Sequence, residues 1–125
     1  MTDFLLKNAE TLLTMDDDRR VLKSADIRVR DGVIVEIGQG LQGAEATVDA
    51  SGTVVTPGLV NTHHHLYQNL TRAVPGGQDA LLFGWLQTLY PIWSRMGPQH
   101  LQVSTQLGLA ELALSGCSLT SDHLY

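Results

Sequence analysis

Three consecutive histidines, His63, His64 and His65, follow directly on an apolar run that begins at Thr53. The run is rich in valine and leucine, so it predicts a buried strand that delivers the histidines at its end. Successive side chains of an extended segment point to opposite faces, which puts His63 and His65 on one face with Cα atoms roughly 6.6 Å apart. Two imidazole nitrogens that bind one zinc-like ion at about 2.0–2.1 Å lie about 3.3 Å apart, and side chains leaning together can reach that separation. We therefore predict that His63 and His65 bind a metal and that His64 points the other way.

A histidine cluster can also be a polar surface tract or an expression tag. A tag lies at a terminus beside linker residues. These histidines instead end a Val/Leu-rich run that only Pro57 and Gly58 interrupt. Their position favours the ligand interpretation for His63 and His65, whereas for His64 we expect a loop-facing imidazole or one that supports the ligands.

Composition excludes several classes of function. The chain has 125 residues, 43% of them hydrophobic, and a net charge of -5, so it has no basic field for nucleic acid or for an anionic membrane surface. It has no apolar stretch near the roughly 20 residues of a spanning helix, and its first residues lack the positive region of a signal peptide. We expect a cytoplasmic protein. Cys117 is the only cysteine, which excludes an internal disulfide and a Cys-x-x-Cys metal site.

Residues 1–56 predict a small antiparallel, β-sandwich-like N-terminal module. In residues 25–30, Ile27 and Val29 alternate with arginines, the pattern of a half-buried strand, and Asp31-Gly32 is a dipeptide favoured in a two-residue hairpin turn. A composition change near residue 56 predicts a domain boundary. The predicted strands are residues 4–6, 11–14, 25–30 and 33–37, with residues 47–49 and 53–55 able to add two more.

Residues 57–125 show helical periodicity between apolar strands. The first predicted helix starts at an Asp79 cap, stops at Pro91, and carries an apolar stripe of Leu82, Trp85, Leu86 and Leu89. The second begins near Pro98, ends before Gly116, and carries a stripe of Val103, Leu107, Ala110 and Leu114. A strand over residues 117–122 follows.

The order strand, helix, strand predicts a parallel βαβ unit and hence an α/β fold. A long segment separates His65 from Pro98, far longer than an ordinary connection, and such excursions are usually functional. In α/β barrels the loops after the strands build the active-site face. The histidines and this segment should therefore lie at the same end.

The segment Pro57-Gly-Leu-Val-Asn-Thr-His-His-His65 resembles the first barrel strand of the amidohydrolase superfamily, and the preceding β module is what that family places before its barrel. Three further segments are similar to its purine and triazine deaminase branch: residues 65–72 (HLYQNLTR), 82–93 (LFGWLQTLYPIW) and 114–125 (LSGCSLTSDHLY). The resemblance implies the N-terminal part of a (β/α)₈ TIM barrel of a larger enzyme, with the remainder of the barrel as its partner.

The resemblance also implies a metal-dependent hydrolytic deamination that releases ammonia from a purine-like heterocycle, with 8-oxoguanine as the expected substrate. His63 and His65 would hold one divalent metal, zinc or alternatively iron. The other metal ligands and the general acid and base lie, by resemblance, beyond Tyr125, so no catalytic residue is assigned within this segment.

Three residues are candidates for substrate binding: Gln68, Trp85 and His123. Gln68 follows the histidines into the loop, and its amide can both donate to and accept from a purine edge, although a solvated loop glutamine is an equal alternative. Trp85 could stack on a flat ring, and the resemblance puts it near substrate. His123 and Asp122 end the second strand, where barrels face their substrate, but an exposed histidine and a helix-capping aspartate are the plainer alternatives.

Other functions remain open at this point. The same metal site would serve a triazine or cyclic-amide hydrolase. A free-standing β module that binds metal or a partner through its histidines is a non-enzymatic alternative. Exposed apolar barrel edges would promote association, and we expect a homo-oligomer.

Overall fold

A computed structural model describes residues 3–125 and divides into two compact units, one ending at Pro57 and the other beginning at Gly58. Each unit has its own sheet. The first contains the strands β1 (Asp3–Leu13), β2 (Val21–Arg30), β3 (Val33–Gly38), β4 (Ala46–Asp49) and β5 (Val54–Val55). The second contains β6 (Leu59–Asn61), two 3₁₀ helices (Leu66–Thr71 and Pro75–Gly77), α1 (Leu82–Trp93), α2 (Pro98–Leu114) and β7 (Cys117–Thr120).

The sheet of the first unit is mixed, which differs from the antiparallel, sandwich-like module that the sequence predicted. β1, β2 and β3 are antiparallel, and Asp31 and Gly32 turn between β2 and β3 with φ of 49° and 79°, the left-handed values that the tight hairpin requires. β4 and β5 instead pair parallel to β1, in one sheet of order β3-β2-β1-β4. The reason is the connection after β3, which carries the chain to the other side of β1.

One buried carboxylate holds this arrangement together. Asp26 is only 2% exposed and accepts the backbone N–H groups of Asn8 (2.8 Å) and Leu41 (2.9 Å). Asn8 has a φ of 64° at the register shift of β1, so the two strands predicted at residues 4–6 and 11–14 are one strand with a bulge. Burial raises the pKa of Asp26, but the backbone hydrogen bonds, those from Asn8 and Leu41 first, together with the charge of Lys7 leave the pKa below its ordinary value.

In the second unit, β6 and β7 pair in parallel on either side of the helical segment, which confirms the predicted strand–helix–strand order. The strands approach closely at Gly58, where an added Cβ would lie 2.5 Å from Ser118 Cβ. α2 ends as predicted, with Ser115 as its cap and Gly116 in the left-handed region at φ 82°.

The helices of this unit differ from the prediction in two ways. α1 begins after Leu81 rather than Asp79 and continues through Pro91 to Trp93, which is buried. The predicted apolar stripe of α2 is exposed, with Leu114 at 90%. The buried positions of α2 are Ser104 and Gly108, which face the 3₁₀ helix Leu66–Thr71. Within residues 3–125, neither helix has the length and apolarity that crossing a membrane requires.

Candidate metal centre

The rings of His63 and His65 lie edge to face just past the end of β6. Their Nε2 atoms lie 3.2 Å apart, and the ring planes are inclined at 78°. Two nitrogens bound at 2.0–2.1 Å to one tetrahedral ion would be about 3.3 Å apart. The observed distance between the two Nε2 atoms therefore matches the separation that one shared ion requires.

The histidines follow the strand instead of belonging to it. β6 ends at Asn61, whose side-chain oxygen accepts the backbone N–H of His63 at 3.2 Å. A bond from a side chain to the backbone two residues on is typical of the turns that asparagine forms. Asn61 thereby fixes the direction in which the chain leaves the sheet.

The ring of His65 is held from the other strand. Its Nδ1 lies 2.8 Å from the backbone carbonyl oxygen of His123, beyond the end of β7. A carbonyl can only accept, so Nδ1 carries the proton and Nε2 keeps its lone pair for a metal. A hydrogen bond from the second ring nitrogen to a carbonyl is the usual support of a histidine ligand. The backbone N–H of His123 in turn donates to the carbonyl of His64 at 2.9 Å, which extends the pairing of the two strands.

His64 does not join the pair. Its side chain is half-buried, and among residues 3–125 its buried Nδ1 has no hydrogen-bond partner. The three histidines line a cleft of about 190 Å³ together with Thr62, Ser121, Asp122 and His123. Across residues 3–125, no group of three or more histidine, cysteine, aspartate or glutamate residues could hold a metal by itself. The metal ligands predicted here are two in number.

The Asp122 side chain accepts a hydrogen bond from a backbone N–H group in this cleft. Its Oδ1 accepts the N–H of Leu66 at 2.8 Å, at the start of the 3₁₀ helix Leu66–Thr71. The sequence suggested that Asp122 caps a helix that follows it. In the structure Asp122 instead binds the first residue of a helix that precedes it in the chain. His123, next to it, has its ring centroid 5.5 Å from that of His65 and 5.4 Å from that of Tyr125.

Gln68 lies beside a cluster of tyrosines. Its amide nitrogen donates to the hydroxyl of Tyr67 at 3.1 Å and to that of Tyr125 at 3.2 Å. Burial raises the pKa of Tyr67 to about 12, so this hydroxyl is protonated at neutral pH. The ring of Tyr125 is 5.3 Å from that of His65, which puts Gln68 one side chain away from the histidine pair.

Trp85 is farther from the histidines. Its ring packs edge-on against Trp93 at 5.2 Å, Trp93 packs against Tyr67 at 5.2 Å, and Tyr67 reaches His65 at 6.5 Å. Trp93 is buried, and its indole N–H donates to the Thr71 hydroxyl at 3.0 Å. The structure therefore brings Gln68 and His123 close to the histidine pair. The rings of Trp93 and Tyr67 lie between Trp85 and that pair.

Sequence reasoning missed the residues that fix the loop after His65. The carbonyl of Leu66 accepts two buried hydrogen bonds, from Ser104 Oγ at 2.7 Å and from Asn69 Nδ2 at 2.8 Å. Gly108 lets the 3₁₀ helix approach α2, since an added Cβ would lie 2.6 Å from Leu66 Cδ2. Ser104 and Gly108 are four residues apart and lie on one face of α2. This pair of small residues is the feature of the sequence that could have predicted a close contact with this helix.

The chain is similar to several deaminases and hydrolases. No protein-family model matches it. It is 54% identical over 101 residues to an 8-oxoguanine deaminase from Pseudomonas aeruginosa, covering 78% of this chain and 22% of that protein. It is 38% identical over 128 residues to an isoxanthopterin deaminase from an unknown prokaryotic organism, covering 97% of this chain and 26% of the relative.

A solved structure shares the fold over nearly the whole chain. The atrazine chlorohydrolase from Arthrobacter aurescens, in complex with zinc, matches with a TM-score of 0.91 and 30% identity, covering 98% of this chain and 29% of that one. The chain thus spans about a quarter of the length of the proteins that it matches.

Proposed function

We propose that this chain supplies two metal ligands of a metal-dependent aminohydrolase. The chain belongs to the amidohydrolase superfamily, and it matches about a quarter of the length of related deaminases and hydrolases. Residues 1–56 would form the module that precedes the catalytic domain. Residues 57–125 would begin a (β/α)₈ barrel, with β6 and β7 as its first two strands. The activity belongs to a full-length protein, since the matched relatives are about four times as long as the matched segment.

The separation of 3.2 Å between the Nε2 atoms of His63 and His65 carries this proposal. The hydrogen bond from His65 Nδ1 to the His123 carbonyl supports it, because it leaves Nε2 free to coordinate. Zinc is the expected ion, given the imidazole donors and the zinc in the atrazine chlorohydrolase; iron is the alternative.

A bound divalent metal would lower the pKa of a water molecule toward about 7 and stabilise negative charge that develops on the substrate. His63 and His65 hold and orient that ion. Gln68 binds the heterocycle through its carbonyl oxygen, because its amide N–H groups already donate to Tyr67 and Tyr125. A purine-like substrate would therefore present a ring N–H to Gln68. His123 contacts the substrate from the edge of the cleft, and Trp85 supports the aromatic wall behind it.

The preferred substrate is 8-oxoguanine, which the 54% identity over 101 residues to an 8-oxoguanine deaminase supports. The test uses the full-length protein with 8-oxoguanine, guanine and isocytosine, and measures ammonia with a coupled assay. We expect ammonia release that a chelator abolishes and added Zn²⁺ restores. Ammonia release that persists in a His63→Ala, His65→Ala double variant would rule out the proposed site.

A triazine hydrolase is the second candidate, because the atrazine chlorohydrolase shares the fold at a TM-score of 0.91. The two functions differ in the leaving group. Release of chloride or alkylamine from triazines, without ammonia from purines, would favour the second candidate. A homo-oligomeric state and a cytoplasmic location stay predictions, which size-exclusion chromatography and cell fractionation would test.

A further inference from the structure

Asp122 and His123, which follow β7, accept hydrogen bonds from the backbone next to His65 and from its ring. The His123 carbonyl accepts from the ring nitrogen Nδ1 at 2.8 Å, and the Asp122 carboxylate accepts from the N–H of Leu66 at 2.8 Å. That N–H belongs to the peptide group attached to the Cα of His65. The ring and the backbone of His65 are therefore fixed by neighbouring groups of one short segment.

The same peptide group is fixed at its other end. The carbonyl oxygen of His65 accepts the backbone N–H of Gln68 at 3.0 Å. The next carbonyl, that of Leu66, accepts from Ser104 Oγ at 2.7 Å, and Ser104 is fully buried in α2. With both polar atoms of its peptide group bonded, the Cα of His65 has little freedom to tilt its ring away from His63.

Metal affinity depends on this kind of restraint. Ligands have to be held within about 0.5 Å and 10–20° of the productive geometry, and residues that orient them change metal affinity typically by 10–100-fold. We propose that Asp122 and Ser104 are positioning residues of the metal site, acting on His65 through the peptide groups on either side of Leu66. This inference rests on the proposed function, since it requires a metal at His63 and His65.

The Asp122 side chain can be varied to separate geometry from charge. Asparagine keeps an oxygen that accepts the Leu66 N–H but removes the negative charge, whereas alanine removes both. If position is what matters, Asp122→Asn keeps the affinity for Zn²⁺ and Asp122→Ala loses it. Asp49 is a matched control, because its carboxylate also accepts a backbone N–H, that of Ser51 at 3.1 Å, in the other unit.

The experiment measures Zn²⁺ affinity of the full-length protein by competition with a chromophoric chelator. We expect Asp122→Ala to weaken binding by about 10-fold or more, and Asp122→Asn and Asp49→Ala to stay within about 3-fold of wild type. Ser104→Ala should weaken binding by a smaller factor, about 3–10-fold, because Asn69 continues to donate to the Leu66 carbonyl. Circular dichroism establishes that each variant is folded.

Several outcomes would overturn the inference. Equal weakening by Asp122→Asn and Asp122→Ala would mean that charge acts, not position, and unchanged affinity in Asp122→Ala would mean that the contact does not matter. If Asp122→Ala does not fold, the inference requires affinity to be kept in Asp122→Asn and reduced in Ser104→Ala. A wild-type affinity that His63→Ala and His65→Ala leave unchanged would refute the proposed function itself, which is a different result.

Discussion

His65 donates its ring N–H to the backbone carbonyl of His123 across 2.8 Å, although 58 positions separate the two residues in the chain. The contact joins the ends of two parallel strands and leaves the second ring nitrogen of His65 facing that of His63. Three expectations follow from this site and from the packing within its unit, and a fourth concerns the buried carboxylate of the first unit.

Replacing either His63 or His65 by alanine should weaken metal binding strongly. Within residues 3–125 each supplies one of the two imidazole nitrogens that converge, so we expect the zinc content to fall well below that of wild type and ammonia release to be lost. Elemental analysis by mass spectrometry measures the metal per chain. His100→Gln is the control, because His100 caps the start of α2 through the Gly97 N–H, and this variant should keep its zinc. Full zinc content in His65→Ala would contradict the assignment.

Gln68→Leu should raise KM for the purine substrate while kcat changes less. The leucine keeps the bulk of the side chain but cannot accept a ring N–H, and a lost hydrogen bond of about 1–2 kcal/mol corresponds to roughly 5–30-fold in affinity. Steady-state kinetics of ammonia release measure this. Gln87→Leu, on the exposed face of α1, is the matched control and should behave as wild type. An unchanged KM in Gln68→Leu would restore the interpretation of Gln68 as a solvated loop residue.

Glycine-to-alanine substitutions in the two helices should have opposite effects. In α2, the Cβ of Gly108→Ala would collide with Asn69 and Leu66, which we expect to lower the free energy of unfolding by about 1–3 kcal/mol. In α1, an added Cβ at Gly84 meets only the Ala80 methyl, at 3.9 Å, so Gly84→Ala should raise the free energy by about 0.5–1 kcal/mol through helix propensity. Urea unfolding measures both. Equal effects would show that α2 does not approach the 3₁₀ helix as closely as described.

The stability that Asp26 provides should depend on pH. Its pKa is below the ordinary value in the folded protein, so its contribution is present above the unfolded pKa of about 3.9 and disappears as the pH falls through the folded pKa. Asp26→Asn should lower the free energy of unfolding at pH 7 by about 1.5–3 kcal/mol, and its difference from wild type should shrink below about pH 4. Urea unfolding at several pH values measures this, with the exposed Asp17→Asn as control. A difference that grows toward acid would contradict the direction of the pKa shift.

Local patterns predicted the parts of the fold that local chemistry decides. The hairpin at Asp31-Gly32 and the helix end at Gly116 depend on backbone angles that few residues adopt, so the residue type marks the position. The parallel pairing of β6 and β7 followed from the helical segment between them. For His63 and His65, the observed distance between the Nε2 atoms agrees with the separation that one shared ion would require, and metal binding stays a prediction.

The remaining features depend on partners distant in sequence. The bulge at Asn8 requires the Asp26 carboxylate, and the continuation of α1 through Pro91 requires the pocket that receives Trp93. Within the described chain, the buried face of α2 is a polar, small-residue surface centred on Ser104, and hydrophobic periodicity does not report such surfaces. Hydrophobic periodicity likewise could not predict the hydrogen bond from the Leu66 N–H to the Asp122 carboxylate.

Gly58 allows β6 and β7 to approach each other closely, since the Cβ of any larger residue there would collide with the Ser118 side chain. A one-residue slip of β7 would invert its side chains and withdraw the His123 carbonyl from His65. The position of the His123 carbonyl, and with it the hydrogen bond from His65 Nδ1, thus depends on how closely and in which register β6 and β7 pair.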